Sequence, residues 1–409
     1  MNSVKLFLIF IFFLSGCATT AQTVHVALSD RHQPTGGGTD IKYDGLSFEN
    51  YIKLSRKVIA NSRTDLKNKG REEIIDGNSP FELEPPQSCA PGKNKRYRRG
   101  VLLSHGLTDS PYFTRQLGQF FQEHCFRVMA ILLPGHGTRP GDLLDVTWQE
   151  WAQAEAFGTD ALASEVDEVY LWGFSTGGAL SVSQSLRDPR VKGLFLFSPA
   201  IQITSMASLA NLHKIYSWAL PGAKWIDLMK DEDPFKYESF PYNAAYQIYL
   251  LTLEVRSSLD NHKLTIPTFI AASEDDSTVM ISGTVDFFDK ANNPNNKMIL
   301  YTTKTGIPSG KIDRVNSFFP DQHILTSAHT AIVLSAASAH YGINGDYAYC
   351  SHYFPKEMGK YDRCKNKKED YLGEISEENL KKGVIRRLMY NPNFDSLESS
   401  LSQFIESLP

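Results

Sequence analysis

"YLWGFSTGG", residues 170–178, runs three largely apolar residues into a glycine, then a phenylalanine, a polar pair and two more glycines. The residues before it, "EVYLW", read as a buried strand, and "GALSVSQSLRD" after it reads as a helix. Gly-x-Ser-x-Gly at 173–177 therefore falls at a strand-to-helix turn, the arrangement that pushes a serine hydroxyl out at the top of a sheet. Gly173 and Gly177 have a physical task there, because the turn is too tight and its flanks too close for side chains. The stretch predicts a nucleophile, Ser175, and the layering of an α/β protein.

The surrounding chain carries the same rhythm. "GVLLSHG", "TRQLGQFFQEH", "FRVMAILLPGHG", "WQEWAQAEAFGTDALASE" and "VKGLFLFSPAI" alternate short apolar runs with longer helical stretches. That order implies right-handed crossovers and a mainly parallel sheet flanked by helices on both faces. Residues 201–262 break it with aromatic material, "HKIYSWALPGAKWIDLMK" and "FPYNAAYQIYLLTLEV", expected as a helical cap insertion. Its aromatics suit either a small core or an acyl pocket. Strands resume at "TIPTFIAASEDD" and "NKMILYTTK", a polar excursion follows at 341–390, and "NFDSLESSLSQFIESL" closes the chain as a helix. With 42% hydrophobic and 22% charged residues in a chain of 409, there is apolar material for a large core.

A serine nucleophile needs a base to take its proton, and the base needs an orienting carboxylate. In the order Ser, acid, His, the acid belongs after the strand "IPTFIAA", where Asp276 is the choice, Asp275 the fallback and Glu274 a further neighbour. Four histidines follow: His323, His329, His340 and His352. "SAH" occurs twice, but His329 precedes "TAIVL", which can hold a loop against the core, whereas His340 leads out to the excursion. His329 is the expected base. Backbone N–H groups of Leu107, in "VLLSHGLTDSPY", and of Thr176 are the expected donors to the developing oxyanion.

Together "SHGLTDSPY", "LPGHGTRPGDL", "GFSTGG", "DDSTV" and "SAHTAI" resemble the α/β-hydrolase superfamily, in particular its bacterial carboxylesterase and monoacylglycerol-lipase-like branch. The resemblance spans about 95–335 plus the last helix. It implies an eight-stranded sheet with a helical cap after the sixth strand, and ester cleavage through an acyl-enzyme without metal or cofactor. It also implies that His136 in "LPGHG" is structural. The implied substrates are acylglycerols or other short-to-medium acyl esters. The same triad would serve an acyltransferase, thioesterase or amidase, and a non-catalytic envelope lipoprotein could keep the fold for binding. The departure from the family is the tail, where about fifty residues with two cysteines intervene before the last helix.

The N-terminus, "MNSVKLFLIFIFFLSGC", has Lys5, then nine apolar residues from Leu6 to Leu14, then small residues. It reads as a secretory signal, since spanning a bilayer takes roughly 20 residues. "LSGC" resembles the bacterial lipoprotein signal, making Cys17 the lipid-modified terminus, anchored by several acyl chains. With Ala18 after the cysteine, that resemblance implies the outer membrane. The expected organisation is a signal at 1–17, a tether and helical extension at 18–80, and a hydrolase domain at 81–409. Within 18–80, about 18–45 reads as flexible, and "SFENYIKLSRKVIANSR" as an amphipathic helix packed on the body. Export leaves Cys89, Cys125, Cys350 and Cys364 in an oxidising compartment. Of three pairings, Cys350–Cys364 with Cys89–Cys125 is favoured, the alternative being four free thiols. No cysteine or histidine spacing suits zinc. Net charge is −4, and the clusters "GKNKRYRR" and "KNKK" read as solvated surface, with no nucleic-acid partner.

Overall fold

The apolar runs lie side by side as strands because each is buried on both faces, which a parallel sheet between helical layers requires. The computed structural model describes residues 26–409 except 37–40, 67–69, 90, 93, 216–219, 305–310 and 367–369. The signal and Cys17 lie outside the described residues.

Among the described residues eight strands form one sheet: β1 (Phe81–Leu83), β2 (Tyr97–Ser104), β3 (Phe126–Ile131), β4 (Val166–Phe174), β5 (Val191–Phe197), β6 (Thr268–Ser273), β7 (Lys297–Thr302) and β8 (Ile312–Asn316). Their spatial order is β1-β3-β2-β4-β5-β6-β7-β8. Only β1 runs antiparallel to its neighbour. This is the α/β-hydrolase architecture. Alternate residues serve opposite faces: Leu102, Leu171, Leu194 and Ile270 pack in one cluster, Val101, Leu103, Trp172 and Phe195 in the other. The first face is covered by α4 (Trp148–Glu165), α5 (Thr176–Arg187), α6 (Tyr242–Asn261) and α7 (Ile281–Lys290). The second takes α3 (Arg115–Glu123) and the final helix α10 (Phe394–Ser407), whose Phe394, Leu397, Leu401 and Phe404 recur at helical spacing.

Register decides where chemistry can sit. Ser104 pairs with Gly173, Gly173 with Leu196, and Phe197 with Ala271, so β2, β4, β5 and β6 end along one edge. Open parallel sheets bind ligands at this carboxyl edge.

Two expectations are corrected. The insertion follows the fifth strand of the sheet, not the sixth, because the described chain before Phe81 forms the helices α1 (Phe48–Ser62) and α2 (Arg71–Asn78), and the eighth place is taken by the unforeseen edge strand β8. The expected helical insertion is present: 3-10 turns at Ser205–Ile215 and Pro221–Lys224 and a short pairing of Trp225–Asp227 with Phe240–Pro241 precede α6. Pro221, Pro234 and Pro241 interrupt any longer helix. Last, part of the stretch 18–45 is docked, not free. His32 is buried with Nε2 3.2 Å from Ser239 Oγ, Arg31 donates to the Asp231 carbonyl at 2.7 Å, and the Thr35 N–H donates to Asp142 at 2.6 Å.

Helix α1 packs as expected, burying Phe48, Tyr51 and Ile59. In the excursion, α8 (Met358–Lys365), α9 (Glu377–Lys381) and a two-stranded pair, β9 (Tyr371–Gly373) with β10 (Val384–Arg387), give structure to a stretch read as polar loop. Both disulfides are present, Cys89–Cys125 and Cys350–Cys364.

Candidate active site

Strand β4 ends at Phe174 and α5 begins at Thr176, leaving Ser175 alone between them. Its backbone sits at φ 53°, ψ −112°, a conformation costing a non-glycine residue about 1–3 kcal/mol. The Ser175 N–H donates to the Phe197 carbonyl and its carbonyl accepts from Ala200, each at 2.9 Å. A Cβ at Gly177 would stand 1.9 Å from the Ser104 carbonyl oxygen, and one at Gly173 2.3 Å from the Gly177 carbonyl. The first turn of α5 thus rests directly on the end of β2.

Asp276 lies in the turn after β6, and His329 opens a single 3-10 turn, His329–Ala331. His329 Nδ1 donates to Asp276 Oδ2 at 2.6 Å, while Asp276 Oδ1 accepts the N–H groups of Thr278 and Val279 at 2.8 and 3.0 Å. Burial pushes the Asp276 carboxyl up, but His329 and these N–H groups outweigh it and hold it below its usual range. His329 is buried, its ring centroid 5.2 Å from that of Phe174, the residue before Ser175. Ser175, His329 and Asp276 are therefore gathered at one edge of the sheet.

The other candidates lie elsewhere. Asp275 has an unpartnered Oδ2 and is pushed up to about 6 by burial and by Glu274. His340 Nε2 is 3.3 Å from Asp233, with its ring stacked on Tyr347. His323 lies by Tyr371 and His352 by Tyr353.

Leu107 follows β2 in a loop oriented by two histidines. The Leu133 N–H donates to His105 Nε2 at 3.0 Å and the Thr108 N–H to His136 Nε2 at 3.1 Å. Both rings then carry their proton on Nδ1, His105 toward the Gly106 carbonyl and His136 toward those of Leu133 and Pro134. Burial drives the His136 pKa down to about 4 and lowers that of His105, so both stay neutral acceptors. Thr176 heads α5, where the first N–H groups have no carbonyl within the helix. The close approach of Gly177 to Ser104 sets this helix end beside the Leu107 loop.

Several neighbours of the candidate site escaped the sequence reading. Lys236, from the insertion, is buried and pairs with Asp109, also donating to Thr108 Oγ1 at 2.9 Å. Burial raises the Asp109 carboxyl against the pull of that lysine. Asp109 stands inside "SHGLTDSPY", but nothing local marks Lys236. Glu155 did leave a signal, occupying the buried stripe Trp151, Ala154, Glu155, Gly158, Leu162 of α4. It accepts from Ser104 and from Ser181, and burial raises it to about 7. Glu374 and Arg387, from the excursion, reach the His329 and Asp276 loops. Among the described residues no group of three or more His, Cys, Asp or Glu side chains could hold a metal ion.

This sheet, with a strained serine at its strand-to-helix turn, defines a serine hydrolase of the esterase and lipase type. Residues 95–305, just over half of the chain, match the family described as serine aminopeptidase, S33, and the chain belongs to that family. It is 25% identical over 186 residues to a thermostable monoacylglycerol lipase of Bacillus sp. (strain H-257), covering 44% of this chain and 71% of that protein. A carboxylesterase of Bacillus subtilis (strain 168) matches at the same identity over 186 residues, 44% of this chain and 72% of its own. Among solved structures, a monoacylglycerol lipase of Paleococcus ferrophilus superposes with a TM-score of 0.43 at 18% identity, over 55% of this chain and 88% of that one.

Proposed function

We propose that the protein hydrolyses short-to-medium acyl esters, acylglycerols among them, through an acyl-enzyme on Ser175. The observation that carries this reading is the His329–Asp276 pair at 2.6 Å, set beside the strained turn that presents Ser175. With Nδ1 engaged by Asp276, Nε2 of His329 is the nitrogen left for the serine proton. Ser175 Oγ attacks the ester carbonyl as His329 takes its proton. The carbonyl oxygen, now negative, is received by the N–H groups of Leu107 and Thr176, each such donor being worth about 3 kcal/mol. Collapse breaks the C–O bond to the alcohol, which leaves with the proton from His329. Water, activated by the same imidazole, then releases the acid. The names of the two Bacillus relatives support esters as substrates and acylglycerols within that class.

The membrane completes the reading. Lipidation of Cys17 would tether the hydrolase to the cell envelope, on the outer membrane, where acyl esters abound. Among the described residues no helix is long and apolar enough to cross a membrane. Incorporation of labelled palmitate into the full chain, lost in Cys17→Ala, checks the anchor.

The deciding measurement is turnover of p-nitrophenyl esters graded by chain length. Ser175→Ala should lose about a thousandfold or more in kcat. His329→Ala should fall comparably, and His340→Ala, whose ring faces Asp233 and Tyr347, should fall far less. Retained turnover in Ser175→Ala overturns the assignment. Acylated acceptor in place of free acid would make the enzyme an acyltransferase with the same triad.

A further inference from the structure

The base and the acid sit on weak supports, a one-turn 3-10 segment and a turn after β6. What holds them comes from the excursion. Glu374 follows β9 and is fully buried; Arg387 ends β10, and the two strands pair, with the Leu388 N–H donating to the Gly373 carbonyl at 2.9 Å.

Glu374 Oε2 accepts the backbone N–H of His329 itself at 2.9 Å, and its Oε1 accepts that of Ile375 at 2.8 Å. Arg387 Nη2 lies 2.9 Å from Glu374 Oε1 and 3.0 Å from Oε2, and donates to Thr278 Oγ1 at 2.6 Å. The N–H of Thr278 is in turn one of the two that grip Asp276, whose other oxygen holds His329 Nδ1. The contacts close a ring through His329, Glu374, Arg387, Thr278, Asp276 and back to His329. Further ties run parallel to it: Glu374 N–H to Thr326 Oγ1 at 2.9 Å, Thr330 Oγ1 to the Leu388 carbonyl at 3.1 Å, and Ser277 Oγ to the Ile375 carbonyl at 3.2 Å.

We propose that Glu374 and Arg387 are positioning residues, a clamp that sets the separation and orientation of His329 and Asp276 for reaction at Ser175. The proposal rests on the triad reading above. A buried ion pair is a poor source of stability, since desolvation consumes most of its attraction and a well-packed apolar pair often serves as well. What an apolar pair could not supply is an acceptor for the His329 N–H and a donor for Thr278 at fixed spacing. Displacement of a catalytic group by about 1 Å can cost about a hundredfold in rate. The excursion absent from the family's usual tail is therefore part of the catalytic apparatus, acting through the residues it holds. The Cys350–Cys364 disulfide lies next to it: the Arg387 N–H donates to the carbonyl of Tyr349, adjacent to Cys350, at 3.3 Å.

The test uses the full chain and p-nitrophenyl butyrate, with competent sites counted by a fluorophosphonate titrated to completion. Arg387→Met and Glu374→Gln should lower kcat per titrated site about 10–100-fold while KM changes by no more than about threefold. Arg387→Lys should recover part of the loss, because an ammonium can still pair with Glu374. Thr278→Val keeps the ion pair and deletes one link of the ring. Its fold should survive with an unchanged melting temperature, and kcat should drop about threefold to tenfold. A purely structural role would reduce the number of titratable sites or the melting temperature and leave kcat per site within twofold of the parent; that result in both Glu374→Gln and Thr278→Val overturns the clamp. Ser175→Ala, run beside them, separates the two readings. If it is inactive while the clamp variants turn over normally, the clamp alone fails; if it retains activity, the triad fails and takes the clamp with it.

Discussion

The two halves of the candidate site are built on different principles. The serine half is local: a strand, one strained residue and a helix, with glycine backbones pressed against the end of the neighbouring strand. The histidine and acid half is remote, two irregular loops tied together by side chains from Glu374 and Arg387, 45 and 58 positions beyond His329. The first half should fail when a methyl group is added, and the second when a distant charge or crosslink is removed.

The largest expected effect lies on the local side. Gly177→Ala places a methyl carbon 1.9 Å from a backbone carbonyl that cannot turn away, because Ser104 lies within the sheet. The expected cost is about 3 kcal/mol or more, with the elbow displaced and Ser175 unreactive toward a fluorophosphonate. Denaturant melting and probe labelling measure both; a normally stable, normally labelled variant would break the claim that this half is set by backbone contact.

The disulfides probe the remote side. Cys350–Cys364 closes a segment of 14 positions and Cys89–Cys125 one of 36, so chain entropy assigns them about 3 and 4 kcal/mol of stability. Cys125 immediately precedes β3, at the amino end of the parallel strands, opposite the site edge. Replacing that pair with serines should lower stability and leave kcat per titrated site unchanged. Replacing Cys350 and Cys364 should cost less stability yet lower kcat per site, because Tyr349 carries the backbone contact to Arg387. Equal kinetic effects from the two pairs would erase the distinction between the halves.

The same division explains what could be read from the sequence. "YLWGFSTGG" announces its geometry because the requirement for glycines is met within five residues of the serine it serves. The parallel sheet was legible for a similar reason: strands buried on both faces show as unbroken apolar runs. Strand β8 was not, since "IDRVN" is short, edge-placed and half-polar. Glu374 and Arg387 sit in a stretch whose composition suits a surface loop, and only the tertiary fold reveals that both are turned inward. Lys236 is hidden in the same way, one of several cations in the insertion until Asp109 is found beside it. The docked segment 29–35 was lost because polar anchors such as His32 and Thr35 leave no periodicity.

A smaller effect bears on what lies beneath the local half. Glu155 is fully enclosed under the end of β2, accepting from Ser104 and Ser181. Burial raises its carboxyl from 4.5 to about 7, so across that window the native protein keeps a proton that the unfolded chain releases. Stability contributed by the native proton is then present below pH 4.5 and lost as pH rises toward 7, by up to about 3 kcal/mol. Glu155→Gln keeps the shape and one acceptor but cannot ionise, so its curve lacks this slope. Relative to the parent, the variant should gain stability from pH 5 to about pH 7 and level off toward pH 8, measured as the difference in unfolding free energy at each pH. A difference that stays constant over that range would mean that Glu155 is ionised in the native state throughout. A buried anion would then lie beneath the turn that presents Ser175, and the serine half would depend on charge as well as on backbone contact.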